Sequence, residues 1–369
     1  MEMPMRERLA KLASILRRNR RWIVKRLVVY AVILIVAAPF VYLNRAYVYR
    51  TFISRYDDYV VYMDENGLPV TDYGYQAGVY VGPKITPRAV ANQAANYYDM
   101  IEAGNATVTG YFNNTISWLI DHVTTINVPT ENGTVEIAHW YFDFAIWDLP
   151  AGWYQAMTDA KGIRALALAY DLFHNDTYLD IIEKVTRGFE IPISLGGNLY
   201  VLDDGTYWYP EYIVPNEIWP DYKPYLVLNG FLIGLANLYM ANEILNSSFI
   251  KRVFDRGVVS AAANLYKYDL PDLRWTKYHL AEPLKLAPVK YHLIHINLTD
   301  MLYKFTNVTV FRTMSDRWAS YTKYPSFSWA EITSSEFISI VAFMAFIVLA
   351  PVVVIDALQL AIRRRRHGN

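Results

Sequence analysis

Two short stretches of the chain concentrate side chains able to move protons. The first, Trp208-Tyr209-Pro210-Glu211-Tyr212, sets a carboxylate beside a phenol at the end of an alternating segment. The second runs from Lys290-Tyr291-His292 through His295 to Asn297, with Tyr278 and His279 a little upstream. At helical spacing His292 and His295 share one face, and Tyr291 meets His295. A carboxylate is a base at neutral pH. A phenol, with a pKa near 10, is only about one part in a thousand ionised at pH 7, so it is ready-made as an acid. To act as a base, Tyr291 needs a cation or donors nearby, and Lys290, His292 and His295 are its neighbours in sequence. The histidine pair has no Asp or Glu at ligand spacing, so no metal is expected. Hydrogen-bonded core histidines and a surface Glu211 are the competing readings.

What is missing narrows the chemistry further. The 369 residues contain no cysteine, which excludes disulfides, thiolate metal sites and thiol nucleophiles. No phosphate-binding Gly-rich loop, dinucleotide fingerprint or Gly-X-Ser-X-Gly elbow occurs, so kinase, nicotinamide and α/β-hydrolase chemistry are poor fits. Lys plus Arg and Asp plus Glu are equal at 35 each, without the basic excess of a nucleic-acid binder. Tyrosine is abundant, at 31 residues, and offers an apolar face with a polar tip suited to sugars or to a helical core.

The elements that must position these groups read as helical hairpins. Residues 56 to 85 are extended, with a turn at Asn66-Gly67. From Thr86 the apolar period becomes helical: Val90, Ala94, Tyr97, Tyr98 and Ile101 are answered by Ile116, Leu119, Ile120 and Val123. Three more pairs follow. Trp153 to Ala167 is answered by Ile181 to Phe189, Leu228 to Leu245 by Phe249 to Ala261, and Ile294 to Leu302 by Phe311 to Trp318. Short polar turns make such neighbours antiparallel, and a series of αα-hairpins closes fully or partly into an α/α toroid. The insertions 126 to 150, 190 to 225 and 268 to 290 should gather at one end, where loops build sites. A hairpin is expected at 198 to 209, around Asp203-Asp204-Gly205.

Two apolar runs flank this region. Leu27 to Leu43 is 17 residues without a charge, and Phe337 to Ile355 is 19. Each approaches the length needed to cross a bilayer. Nine Lys and Arg precede the first, and Arg363 to Arg366 follow the second. The positive-inside rule then places basic tails 1–26 and 356–369 in the cytoplasm, transmembrane helices at 27–43 and 337–355, and residues 44–336 outside the cell membrane. On this reading 44–85 is a β-rich segment and 86–325 the toroid. Seven Asn-X-Ser/Thr acceptors, at Asn105, Asn113, Asn132, Asn175, Asn246, Asn297 and Asn307, all fall between the two runs and suggest a glycoprotein. A preference of Asn for turns explains the same pattern.

Four segments in order, Gly152-Trp153-Tyr154-Gln155-Ala156-Met157, Trp208 to Tyr212, Leu228-Asn229-Gly230-Phe231 and Tyr291 to Asn297, resemble the C-terminal domain of the D-glucuronyl C5-epimerase family. Arg317-Trp318-Ala319-Ser320-Tyr321 is similar to that domain's closing helix. The resemblance covers 150 to 322 and implies a helical α/α toroid. It also implies conversion of glucuronate to iduronate within a polysaccharide, with no cofactor. C5 lies next to the carboxylate, so its hydrogen leaves as a proton and no hydride acceptor is needed. The family's site residues fall on Glu211, Tyr212, Tyr278 and Tyr291, with Glu211 as one base and Tyr291 as the opposite-face partner. Tyr212 and Tyr278 would orient the sugar or relay protons. Trp208, Asn229, Lys290, His292, His295 and Asn297 are expected to contact substrate.

This chain also departs from the family pattern. Tyr212 precedes Asn229 by 17 residues, a longer separation than the family's, and a gapless match would choose Glu217 and Trp219 instead. An insertion between 213 and 220 restores Glu211 and Tyr212. Asp159 and Lys161 stand where the family carries glutamines, a change that bears on sugar recognition. The expected partners are a uronate polysaccharide and the lipid bilayer, with no nucleic acid, and a homodimer is compatible with the sequence. A polysaccharide lyase on the same fold and a non-catalytic glycan-binding protein are the alternative functions.

Overall fold

In the computed structural model, residues 20–48, 59–76, 78–131, 133–322 and 334–366 are described. Helix α1 (Arg20–Val48) belongs to one unit with the other chain end, and residues Tyr56–Lys323 form a second unit. Helix α1 outruns the expected span and takes up residues 44–48, which the sequence pattern had assigned to the extended segment.

The central unit opens on short strands. β1 (Val60–Met63), β2 (Pro69–Asp72) and β5 (Pro83–Ile85) pair antiparallel in the order β1-β2-β5, with the hairpin β3 (Tyr75–Gln76) and β4 (Val79–Tyr80) between β2 and β5. The first turn is built by Asp64, whose carboxylate accepts from the Asn66 and Leu68 amides at 2.9 and 2.7 Å. Gly67 completes it at φ +75°, where an added Cβ would also lie 2.6 Å from the Tyr111 ring.

Asparagine turns then set the plan. Helix α2 (Pro87–Glu102) turns at Asn105 into α3 (Thr109–His122), and after the hairpin β6 (Thr124–Thr130) and β7 (Gly133–His139) come the short strands β8 (Tyr141–Phe142) and β9 (Trp153–Tyr154). Helix α4 (Ala156–Phe173) turns at Asn175 into α5 (Thr177–Gly188), and the short strands β10 (Tyr200–Val201) and β11 (Tyr207–Trp208) form the expected hairpin. Helix α6 (Leu228–Leu245) turns at Asn246 into α7 (Ser248–Asn264). After β12 (Asp269–Leu270) and β13 (Trp275–Thr276), α8 (Val289–Thr306) turns at Asn307 into α9 (Thr309–Tyr321). Asn246 and Asn307 adopt left-handed φ of +47° and +56°, the usual way to end a helix. Asn105 and Asn175 instead accept from the amides of Thr107 and Thr177 at 3.2 and 3.0 Å. Four of the Asn-X-Ser/Thr sites therefore have a local cause: Asn reverses the chain, and the Ser or Thr lies in the turn or opens the next helix. Asn132 lies outside the described residues.

The first helix of each hairpin packs on the next, α2 on α4, α4 on α6 and α6 on α8, while each second helix packs on its own partner. That succession is what an incomplete α/α toroid requires, and the unit is mainly helical. Its core is aromatic and aliphatic, with Trp140, Trp275, Trp318, Phe112 and Phe231 fully buried.

Asp159, flagged above as a departure, serves this core. Its carboxylate is buried and accepts from His139 Nδ1 at 2.6 Å, Asn198 Nδ2 at 2.8 Å and the Trp140 amide at 3.3 Å. It thus ties the first turn of α4 to the end of β7 and to the loop before β10. Asp159→Ala strands three buried donors and should lower unfolding stability by about 3 kcal/mol or more, read as the shift in denaturant midpoint. An unchanged midpoint would contradict this account of the cluster.

The last helix, α10 (Ser334–Arg366), runs on through the arginines read above as part of a tail. It packs on α1. Asp356 accepts from Tyr30 Oη at 2.6 Å and pairs with Arg26 Nη2 at 2.6 Å.

Candidate active site

A carboxylate reaches the site through a pinned segment. Residues 210–213 run against β9: Ala156 N donates to Pro210 O at 3.2 Å, and Ile213 and Tyr154 exchange both backbone bonds at 2.9 Å. Glu211 is thereby held against the first turn of α6. Gly230 makes room there, since a Cβ on it would lie 2.4 Å from Glu211 Cβ and Oε2. Asn229 Nδ2 donates to Glu211 Oε2 at 3.1 Å. Burial pushes the Glu211 carboxyl above its ordinary value, opposed by a hydrogen bond to Tyr212, by Arg88 and Lys161, and by Asn229. A raised but partnered carboxylate is suited to taking and returning a proton.

Three phenols line up beyond it. Tyr212 and Tyr278 share a hydrogen bond, and the rings of Tyr278 and Tyr291 lie 5.1 Å apart. Tyr278 is carried just past β13, and its carbonyl accepts from Leu228 N at 3.2 Å, which fixes it to the start of α6. Tyr291 stands on the first turn of α8, whose N-terminus follows Pro288. Burial first, and then the negative charge of Glu211, pushes Tyr212 and Tyr278 far above the usual phenol range. Both remain neutral donors at physiological pH.

These groups face a cleft of about 410 Å³ lined by Trp147, Tyr212, Tyr225, Tyr278, His279 and Tyr291 among others. The Trp147 ring meets Tyr212 edge-on at 5.8 Å and is 53% exposed, leaving an aromatic face free to stack on a sugar. Tyr225 Oη donates to Asp148 at the same rim. Tyr291 also lines a neighbouring cavity of about 380 Å³ with Arg88, Asn92 and Lys290.

Arg88 supplies the cation. Thr86 caps α2 and Pro87 opens it, so Arg88 projects from the helix's first turn. Burial disfavours its charge, but Tyr73, Tyr212, Glu211 and Tyr291 together favour it, and the balance keeps the guanidinium above its usual range. Sequence reasoning missed Arg88, Asn92, Trp147 and Tyr225, because each arrives from an element outside the two dense stretches. The Thr86-Pro87 helix start was legible, but nothing in it announced that the next residue faces Glu211.

The structure brings together Glu211, Tyr212, Tyr278, Tyr291 and Asn229, with Lys290 on the neighbouring wall. Glu217 and Trp219, the gapless alternative, are exposed in the turn that follows. Trp208 does not reach the cleft: it is fully buried and stacks on Phe231 at 3.8 Å. His292 and His295 are also core. His292 stacks on Trp275 at 3.7 Å, its Nδ1 meets Thr276 Oγ1 at 2.8 Å and its Nε2 the Trp318 carbonyl at 3.2 Å. Burial drives His292 down to about 3 and His295 well below the usual histidine value, so neither is a cation for Tyr291. Asn297 is exposed on α8 and lines neither cavity.

Residues 132–320 match the model of the D-glucuronyl C5-epimerase C-terminus. The chain is 28% identical over 226 residues to an uncharacterized protein of Methanocaldococcus jannaschii, covering 57% of this chain and 70% of that one. It is 29% identical over 192 residues to a D-glucuronyl C5-epimerase of Caenorhabditis elegans, covering 47% of this chain but only 29% of the worm enzyme. A sugar epimerase from a ruminal bacterium superposes with a TM-score of 0.47 at 10% identity, over 77% of this chain and 74% of that one, too distant a likeness to bear on chemistry. With a match that spans just over half of its length and takes in Glu211, Tyr212, Tyr278 and Tyr291, the chain belongs to the D-glucuronyl C5-epimerase C-terminal family.

Proposed function

We propose that the protein epimerises uronic acid residues at C5 within a cell-surface polysaccharide, converting glucuronate to iduronate. The observation that carries this reading is one buried carboxylate bonded behind three phenols that line a cleft with an aromatic rim, with Arg88 acting on Glu211, Tyr212 and Tyr291 from the neighbouring cavity. Arg88 binds the uronate carboxylate and neutralises the charge that grows on it as the C5–H bond breaks. Glu211 takes the C5 proton from one face. Tyr291 delivers a proton from its phenol to the opposite face, leaving a phenolate that Arg88 stabilises until solvent returns the proton. Tyr212 and Tyr278 hold the sugar by neutral O–H donors. In the reverse direction Tyr291, as phenolate, is the base and Glu211 the acid.

The full chain in detergent, incubated with a glucuronate polymer, should yield iduronate residues of unchanged chain length by NMR. Shortened chains with an ultraviolet-absorbing unsaturated uronate would identify a lyase. Binding with no change in the polymer would favour a glycan-binding protein.

The same reading places α1 and α10 across a bilayer with both chain ends cytoplasmic. In support, Arg21–Pro39 and Val341–Leu358 have mean hydropathies of 2.0 and 2.6 over 19 and 18 residues. Asp356 would be costly in an apolar helix unless paired, and Arg26 and Tyr30 pair it. These partners lie toward the start of α1 and the end of α10, as an antiparallel pair with both ends on one side requires. Protease added outside intact cells should digest the central region and spare both ends; a protected central region would refute the orientation.

A further inference from the structure

Lys161 sits on the second turn of α4, behind Asn92, which lines one cavity with Arg88 and Tyr291. Its ammonium donates to Asn92 Oδ1 at 2.7 Å. Asn92 lies one helical turn beyond Arg88 on α2, and both line that cavity. Four groups act on Lys161: Arg88 and Asn92 from α2, Arg164 from its own helix, and Glu211 from the segment after β11. Among the described residues, two cations act on Glu211, Arg88 and Lys161, so a second carboxylate arriving there would meet an excess of positive charge.

We propose that Lys161 is a substrate-carboxylate ligand, its ammonium held by Asn92 and set beside Arg88 so that the two cations form one receptor for the uronate carboxylate. This deepens the epimerase reading and rests on it for the identity of the anion. The energetics agree with the geometry. Burial, and then the nearby Arg88, lower the Lys161 ammonium to about 7, with Glu211 opposing and Arg164 assisting. In the empty site about half of the lysines are therefore neutral at pH 7. An arriving carboxylate favours the charged form, so binding takes up a proton above pH 7, and affinity falls as pH rises through that range. Arg88, Tyr212 and Tyr278 are shifted upward, away from this range. Glu211, also shifted upward, gains negative charge as pH rises and weakens anion binding in the same sense, so the Lys161 variants are what separate the two groups.

The test uses the full chain in detergent and a hexasaccharide of alternating glucuronate and N-acetylglucosamine, beside its carboxyl-reduced counterpart. Between pH about 6 and about 9, wild-type affinity for the acidic hexasaccharide should fall roughly 30- to 100-fold, and affinity for the reduced form should not change. Lys161→Gln should bind the acidic form weakly at both pH values. Lys161→Arg, whose charge is fixed, should bind it well and lose the pH dependence, a rescue that a merely structural lysine would not give. A retained slope in Lys161→Gln, or no discrimination between acidic and reduced sugars by the wild type, would overturn the proposal. Tight, pH-dependent binding without iduronate formation would sink the epimerase reading and leave the receptor standing. Iduronate formation with pH-independent binding would sink the receptor alone.

Discussion

Tyr291→Phe should lower C5 proton exchange about 10²–10⁴-fold while leaving substrate affinity nearly unchanged. The substitution deletes one oxygen from a ring that packs beside Tyr278 at 5.1 Å, so the aromatic wall of the cleft survives. What is lost is the proton source for one face of the sugar. Tyr278 does not replace it, because burial pushes its phenol far above the usual range and makes it a poorer acid. The loss should appear in kcat with KM little changed, the pattern of an interaction made only in the transition state. Unaltered exchange in Tyr291→Phe would move the acid role elsewhere in the cleft.

Arg88→Met should cost activity by about 10²–10³-fold, the scale set by removing one preorganised donor from a developing negative charge. Unlike Tyr291→Phe it should raise KM as well, since the guanidinium meets the carboxylate in the ground state too. A second signature follows from Glu211. Burial raises that carboxyl and Arg88 holds it down, so removing the cation lets it rise further. Glu211 works as a base only when deprotonated, and the acid limb of the pH profile should therefore move to higher pH. A pH profile identical to wild type would argue that Arg88 does not act on Glu211.

The hairpin plan was legible because apolar periodicity and Asn turns are local signals. Asn105, Asn175, Asn246 and Asn307 each mark one reversal, and the stripes from Val90 and Leu228 bury except toward their ends, where Tyr98, Ile101 and Leu245 are half-buried. The dense motifs located the carboxylate and the phenols because those four residues come from two loops and one helix start close to them. Ring stacking misled the reading of Trp208, His292 and His295. A motif rich in aromatic and histidine residues looks the same whether it faces a ligand or fills a core, and Thr276 and the Trp318 carbonyl, which claim His292, are far away in sequence. Arg88 and Asn92 were invisible for the complementary reason: they enter from α2, more than a hundred residues before Glu211, and only the packing of α2 on α4 brings them in. Lys161 and Asp159 were noticed together as departures, yet they part company in the structure, one bonded to Asn92 on α2 and the other to His139 inside the core.

Everything in this account turns on a proton leaving C5 and returning to either face. The direct measurement is incubation of a glucuronate polymer with the wild-type protein in deuterated water, followed by NMR at C5. Deuterium should enter both the iduronate formed and the glucuronate recovered, with exchange reduced in Tyr291→Phe and Glu211→Gln. Iduronate formed with C5 still protiated, or a polymer that gains no deuterium while bound, would contradict it.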